Sequence, residues 1–203
     1  MRTIQILGSS AAMVAALLVN QAYAAVKVGE PAPDFQVAGA DGQAHSLSDY
    51  KGKFVVLEWT NADCPFVRKQ YSSGNMQQLQ KEATRDGAVW LSIISSAPGK
   101  EGHVDAAQAL KLTDKRKAAP TAVLLDEKGT AGHLYEAKTT PHMFIIDPTG
   151  TLIYAGAIDS TPSTDPTDIA TSKNYVKVAL EEARAGKPVT EAVTKPYGCS
   201  VKY

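Results

Sequence analysis

Cysteine is scarce in this chain: two residues in 203, Cys64 and Cys199. So few cannot make a disulfide-rich secreted scaffold, which leans on several bridges to offset a thin core. Neither the cysteines nor the four histidines show the paired spacing of a structural zinc site. An excess of one charge is also lacking, with 21 Lys and Arg against 21 Asp and Glu. Such a balance supplies no basic surface for nucleic acid or for anionic lipid. A glycine-rich phosphate loop is missing, as are internal repeats and low-complexity blocks. Beyond the first two dozen residues no apolar run is long enough to cross a bilayer.

What is present begins at the N-terminus. Met1-Arg-Thr leads into the apolar stretch at 11–19 and then Ala22-Tyr-Ala24. A basic start, a short apolar centre and an A-x-A site are the marks of a signal peptide. Cleavage after Ala24 leaves roughly 180 residues, one domain in size. The expected organisation is a signal peptide at 1–24, a domain at 25–187 and a tail at 188–203 that carries Cys199. Export, to a periplasm or beyond the cell, puts the cysteines where bonded pairs can persist. A bridge between them would close a loop of roughly 130 residues, for which chain entropy alone allows at most about 4–5 kcal/mol.

The chain is organised around Cys64. Residues 53–58 are an apolar, β-branched run that reads as a buried strand. Pro65 sits where a helix would begin, because proline lacks only an amide that would be unpaired there anyway. Cys64 therefore falls at or next to the helix N-cap, where free amides and the helix dipole favour a thiolate. Arg68 and Lys69, about one turn on, add positive charge; Asp63 opposes it if its carboxylate faces the sulfur. A buried structural cysteine is the alternative.

Around that centre the pattern predicts a hairpin at 34–47, the strand at 53–60, and a first helix ending near 72–74. A second helix is expected from Asn75 as cap, with Gln78 in capping-box position and Met76, Leu79 and Ala83 on one face. Strands at 88–94, 121–125 and 142–146 alternate with helices at 103–112 and 130–135. A hairpin to 151–155, a polar loop at 160–171, and a helix marked by Val176, Ala179, Leu180 and Ala183 follow. Early alternation implies parallel strands with right-handed crossovers, and the final hairpin adds antiparallel ones. The fold class is α/β: a mixed central sheet with helices on both faces and an N-terminal β-hairpin.

This ordered set resembles the redoxin branch of the thioredoxin-like superfamily, close to peroxiredoxin-like (alkyl hydroperoxide reductase / thiol-specific antioxidant) domains. Gly29-Glu-Pro-Ala-Pro-Asp-Phe35 is similar to the family's G-x-x-A-P-D-F opening. Cys64 falls at its reactive cysteine, Thr140-Pro141 at its threonine–cis-proline, and Phe144-Ile-Ile-Asp147 with Gly150 at its last hairpin. The resemblance implies a thioredoxin-like fold, Cys64 as nucleophile, and Thr140, Pro141 and Trp59 lining the substrate pocket. It also makes cis the expected state of Pro141, which the residues alone would leave trans. Two departures stand out. Cys64-Pro-Phe-Val67 has no second cysteine, so a local dithiol cycle is impossible. Family peroxidases carry P-x-x-x-T-x-x-C, and the matching places hold Leu57 and Asn61. Asn61 can still donate a hydrogen bond to a peroxide.

Cys199 has three readings: it resolves a sulfenic acid at Cys64, it forms a permanent disulfide with Cys64, or it pairs with another chain. His142, after Pro141, suggests a soft-metal site with a neighbouring methionine; a histidine bonded to backbone at a strand start is the plainer reading. The function expected is an exported thiol oxidoreductase with Cys64 as nucleophile and Cys199 as partner, and with Asn61 and Arg68 assisting. It acts on a peroxide or a protein disulfide, draws on an external thiol reductant and requires no cofactor. The competing class is a non-enzymatic redoxin-fold module, for binding or copper handling, with a structural disulfide.

Overall fold

The computed structural model describes residues 26–203; the signal peptide expected at 1–24 lies outside the described residues. Among the described residues nine strands and five α-helices follow the order β1 (Gln36–Gly39), β2 (Ala44–Ser46), β3 (Val55–Trp59), α1 (Pro65–Ser72), α2 (Asn75–Arg85), β4 (Val89–Ile94), α3 (Ala106–Lys115), β5 (Ala122–Leu125), α4 (Thr130–Leu134), β6 (Thr139–Thr140), β7 (His142–Ile146), β8 (Leu152–Gly156), α5 (Tyr175–Arg184) and β9 (Cys199–Ser200). Seven strands form one sheet in the order β2-β1-β5-β4-β3-β7-β8, and β6 pairs separately with β9. β3, β4 and β5 run parallel; β1–β2, β1–β5, β3–β7 and β7–β8 are antiparallel. This is the mixed sheet with an N-terminal hairpin that the sequence implies.

β3 is buried at all five positions, as its unbroken apolar run requires of a strand covered on both faces. Val55, Leu57 and Trp59 join Leu91, Leu124 and Phe144 in a core capped by α4 and by Phe35 ahead of β1. Val56, on the other face, packs with Trp90, Met143 and Ile145 under α1, α2 and α5. α3 covers Val123 and Ala40 toward the sheet edge.

Several boundaries differ from the sequence reading. α2 starts at Asn75 but is capped by Gly74, in the left-handed conformation at φ 79°. Asn75 does not cap, because its side chain donates to Gln70 Oε1 at 2.6 Å. α3 starts three residues later than expected: Asp105 caps it and forms a reciprocal capping box with Gln108. The tail from 188 onward is not wholly irregular, since Cys199 and Ser200 pair with β6.

Candidate active site

The register of β3 against β7 decides where the site forms. Trp59 lies opposite His142 in an antiparallel pair. The chain leaving β3 therefore passes the point where the chain entering β7 arrives. Cys64 is on the first segment and Thr140-Pro141 on the second. The Thr140–Pro141 bond is cis, and Cys64 Sγ donates to Thr140 O at 3.0 Å. Cys64 is the N-cap of α1, extended at φ −68° and ψ 122°, with Pro65 at the first helical position.

β9 brings in the second cysteine. Cys199 is opposite Thr140 in the β6–β9 pair, so two stretches that meet Thr140 carry both sulfurs. Both residues are free thiols here, Cys64 buried and Cys199 half-buried. Gly198 makes this approach possible. Its φ is +133°, and a Cβ there would lie 2.1 Å from Thr140 O; any other residue would force the strands apart.

The two thiols are driven in opposite directions. Burial pushes Cys64 up, but hydrogen bonds from the Cys199 thiol, the Val67 amide and the Thr140 side chain outweigh it, leaving Cys64 below its ordinary value. Val67 is the third residue of α1, and its amide favours a charged sulfur, although no N-cap hydrogen bond closes onto the Cys64 side chain. The buried Thr140 hydroxyl has no other partner among the described residues, so the sulfur can claim it. Cys199 is pushed up to about 12, first by burial, then by its hydrogen bond to Cys64 and by the charges of Cys64 and Glu101. Of the pair, Cys64 loses its proton the more readily, giving up its bond to Thr140 O, and Cys199 is the one that holds its proton.

The other residues singled out in the sequence fall differently. Asn61 is buried, and its side chain is committed to the loop: Oδ1 accepts from the Asp63 amide at 2.8 Å and Nδ2 donates to Glu101 O at 3.3 Å. Arg68 and Asp63 are exposed, and neither is among the groups that shift Cys64. Trp59 is fully buried, its indole N–H donating to Ser95 Oγ at 3.0 Å, so it supports the site from the core. His142 is buried against Phe144 and accepts from the Lys138 amide at 3.3 Å, which is the plain backbone-bonded reading. Among the described residues no three His, Cys, Asp or Glu side chains gather as a metal site would need. No helix among them is long and apolar enough to cross a membrane.

Three features were not anticipated. Arg116, from the end of α3, donates to Ala62 O at 3.2 Å and lies 4.6 Å over the Tyr71 ring, so it is the arginine that braces the Cys64 loop. Glu58 is fully buried and accepts from Tyr71, Gln80, Trp90 and Ser92, which ties α1 and α2 to the sheet. Lys69, beside exposed Arg68, is buried, donates to Thr161 O at 3.1 Å and lies 4.0 Å from Asp159. Adjacent residues on a helix point about 100° apart, and only burial of one face shows which of the two turns inward.

Comparison with known proteins agrees with this geometry. The model of the AhpC/TSA family matches residues 28–155. The chain belongs to the AhpC/TSA family. It is 31% identical over 128 residues to the thioredoxin-like protein YneN of Bacillus subtilis, covering 63% of this chain and 69% of that protein. It is 26% identical over 133 residues to the thiol-disulfide oxidoreductase ResA of Geobacillus kaustophilus, covering 62% and 67%. A crystal structure of an uncharacterised conserved protein from Geobacillus kaustophilus superposes with a TM-score of 0.72 at 25% identity, covering 87% of this chain and 92% of that one. The chain is thus a thioredoxin-like redoxin with thiol oxidoreductase chemistry of the peroxiredoxin or disulfide-exchange kind.

Proposed function

We propose that the protein is an exported thiol oxidoreductase in which Cys64 is the redox-active nucleophile and Cys199 its intramolecular partner. The observation that carries this reading is the meeting of the two thiols at Thr140, one favoured as thiolate and the other held protonated. Export rests on the leader-like residues 1–24.

Disulfide exchange is the reaction this site suits best. The Cys64 thiolate attacks one sulfur of a substrate disulfide, and the other sulfur leaves as a thiolate. Cys199, after losing its proton to the leaving thiolate or to solvent, attacks Cys64 and releases the second thiolate. The protein ends as the Cys64–Cys199 disulfide, and two substrate thiols are formed. An external dithiol returns it to the reduced state. Peroxide reduction is the second reading, in which the Cys64 thiolate attacks one peroxide oxygen, the O–O bond breaks to release water or an alcohol, and the sulfenic acid formed condenses with Cys199 to expel water. It is less well served, because Leu57 is buried in the core and both polar atoms of Asn61 are engaged by the backbone.

Cys199→Ser separates these readings from a purely structural pair. With glutathione disulfide it should accumulate a Cys64–glutathione adduct by mass spectrometry; with hydrogen peroxide, dimedone should label Cys64 only if the second reading holds. Cys64→Ser should give neither product. If Cys199→Ser yields no adduct under either oxidant, while both variants melt lower by a similar amount, the cysteines are structural and the non-enzymatic module stands instead.

A further inference from the structure

The pairing that presents Cys199 is short. β9 contributes two residues, Cys199 and Ser200, against Thr139 and Thr140. Two-stranded pairing of that length is not stable alone in water. Something else must hold the tail in register.

Downstream, the Val201 amide donates to Lys138 O at 3.1 Å, the Ala97 amide to Lys202 O at 2.8 Å, and Tyr203 stacks on His133. These contacts are to the loops beside β6 and β4 and to α4. Upstream, residues 192–194 bond to Ala155, Tyr154 and Ala157, and nearer Cys199 the anchor is of another kind. Tyr197 lies two residues before Cys199. Its ring meets Phe66 edge-on, with centroids 5.7 Å apart, and its hydroxyl donates to Asp159 Oδ1 at 2.5 Å. Asp159 is 2% exposed, and its Oδ2 accepts from Gln70 Nε2 at 2.6 Å, with Lys69 Nζ 4.0 Å away. Phe66, Lys69 and Gln70 all belong to α1, the helix that Cys64 caps. One helix therefore carries the nucleophile and the fixing point of its partner. A half-buried phenol bonded to a buried carboxylate is worth more than a fully exposed pair, since the carboxylate is cut off from water and depends on the donors that reach it.

We infer that Tyr197, through Asp159 and Gln70, is a positioning residue that holds the Cys199 thiol at Cys64 and so sets the effective concentration of the pair. This inference rests on the proposed redox pairing. It adds a claim that the pairing does not contain: that the register of the tail is set from α1, through a phenol–carboxylate–amide chain, and not by β9.

The test is equilibration of the purified protein with glutathione buffers. Cys64 displaces one glutathione from its disulfide and Cys199 the other, so two protein thiols are oxidised and one glutathione disulfide is reduced to two glutathiones. The equilibrium constant has units of concentration and reads the effective concentration directly. Tyr197→Phe removes one hydrogen bond to a carboxylate and should lower that constant by about tenfold. Measured in a Cys199→Ala background, Tyr197→Phe should leave the alkylation rate of Cys64 within about twofold, because only the partner's placement is altered. A constant within twofold of wild type would overturn the positioning role while leaving the pairing intact. Failure of the wild-type protein to form the intramolecular disulfide at any glutathione ratio would instead remove the pairing itself. Should Tyr197→Phe not fold, Phe66→Leu carries the same test. It removes the edge-on contact but keeps an apolar side chain, and it should lower the constant by more than twofold; no change would again overturn the inference.

Discussion

Replacing Glu58 tests how α1 is held under the site. Four donors converge on this carboxylate: Tyr71 Oη at 2.9 Å on Oε1, and Gln80 Nε2 at 3.2 Å, Trp90 Nε1 at 2.8 Å and Ser92 Oγ at 2.8 Å on Oε2. Glu58→Leu leaves all four facing an apolar side chain. The hydroxyls of Tyr71 and Ser92 can turn elsewhere. Gln80 keeps the Tyr71 oxygen, 3.2 Å away. The indole N–H of Trp90 is fixed and has no second acceptor. A buried donor left without a partner costs roughly 1–3 kcal/mol. One complete loss and several weakened bonds place the change at about 2–4 kcal/mol, a large part of a stability of about 5–15 kcal/mol. Glu58→Gln should behave differently. Turned with its carbonyl toward Trp90, Ser92 and Gln80 and its amide toward Tyr71 Oη, it keeps three of the four bonds, reverses the fourth so that the Tyr71 proton must turn elsewhere, and loses the charge assistance, about 1–1.5 kcal/mol in all. Urea denaturation of the two variants at neutral pH measures both numbers. Glu58→Leu within about 1 kcal/mol of wild type, or Glu58→Gln as damaging as Glu58→Leu, would show that this hydrogen-bond set does not hold the helices to the sheet.

Three further outcomes are expected. In a Cys199→Ser background the rate of Cys64 alkylation should inflect below the ordinary thiol value of 9.0, and Cys199→Ala, which withdraws the donor, should move the inflection upward; identical curves would show that the partner's proton does not stabilise the thiolate. His142 is pushed down to about 4, first by burial and then by Lys138, so between pH 6.5 and about 4 the unfolded chain binds a proton that the folded one does not. Stability should then fall with pH across that window by on the order of 3 kcal/mol, and a His142→Gln variant that shows the same slope in acid urea titrations would exclude His142 as its source. The exported protein should begin at Ala25, and N-terminal sequencing that finds Met1 on it would contradict the signal peptide.

Some of this site is legible in the order of residues alone. An apolar run, a turn and Cys64-Pro65 are neighbours in the chain, so the strand, the helix start and the N-cap cysteine follow from local geometry and from the missing proline amide. Strand β7 and the final hairpin are legible for the same reason. The amphipathic face of Met76, Leu79 and Ala83 is equally visible, because helical period alone aligns those residues. The cap of α2 is not. Asn75 has the chemistry of a cap, but Gln70, packed beside it, offers its side chain a buried partner.

What the sequence by itself determined is therefore the strand–Cys64–helix unit and the order of elements that makes a mixed sheet. Tertiary structure alone decided the polar placements. It turned Lys69 inward and Arg68 outward, assigned Arg116 to the Cys64 loop across 54 residues, gathered four donors on Glu58, and docked Tyr197 and Cys199 against α1 and β6. The physical reason is that an apolar pattern announces which face is buried, whereas a polar side chain is buried only if a partner meets it. Those partners lie tens of residues away, where no local spacing records them.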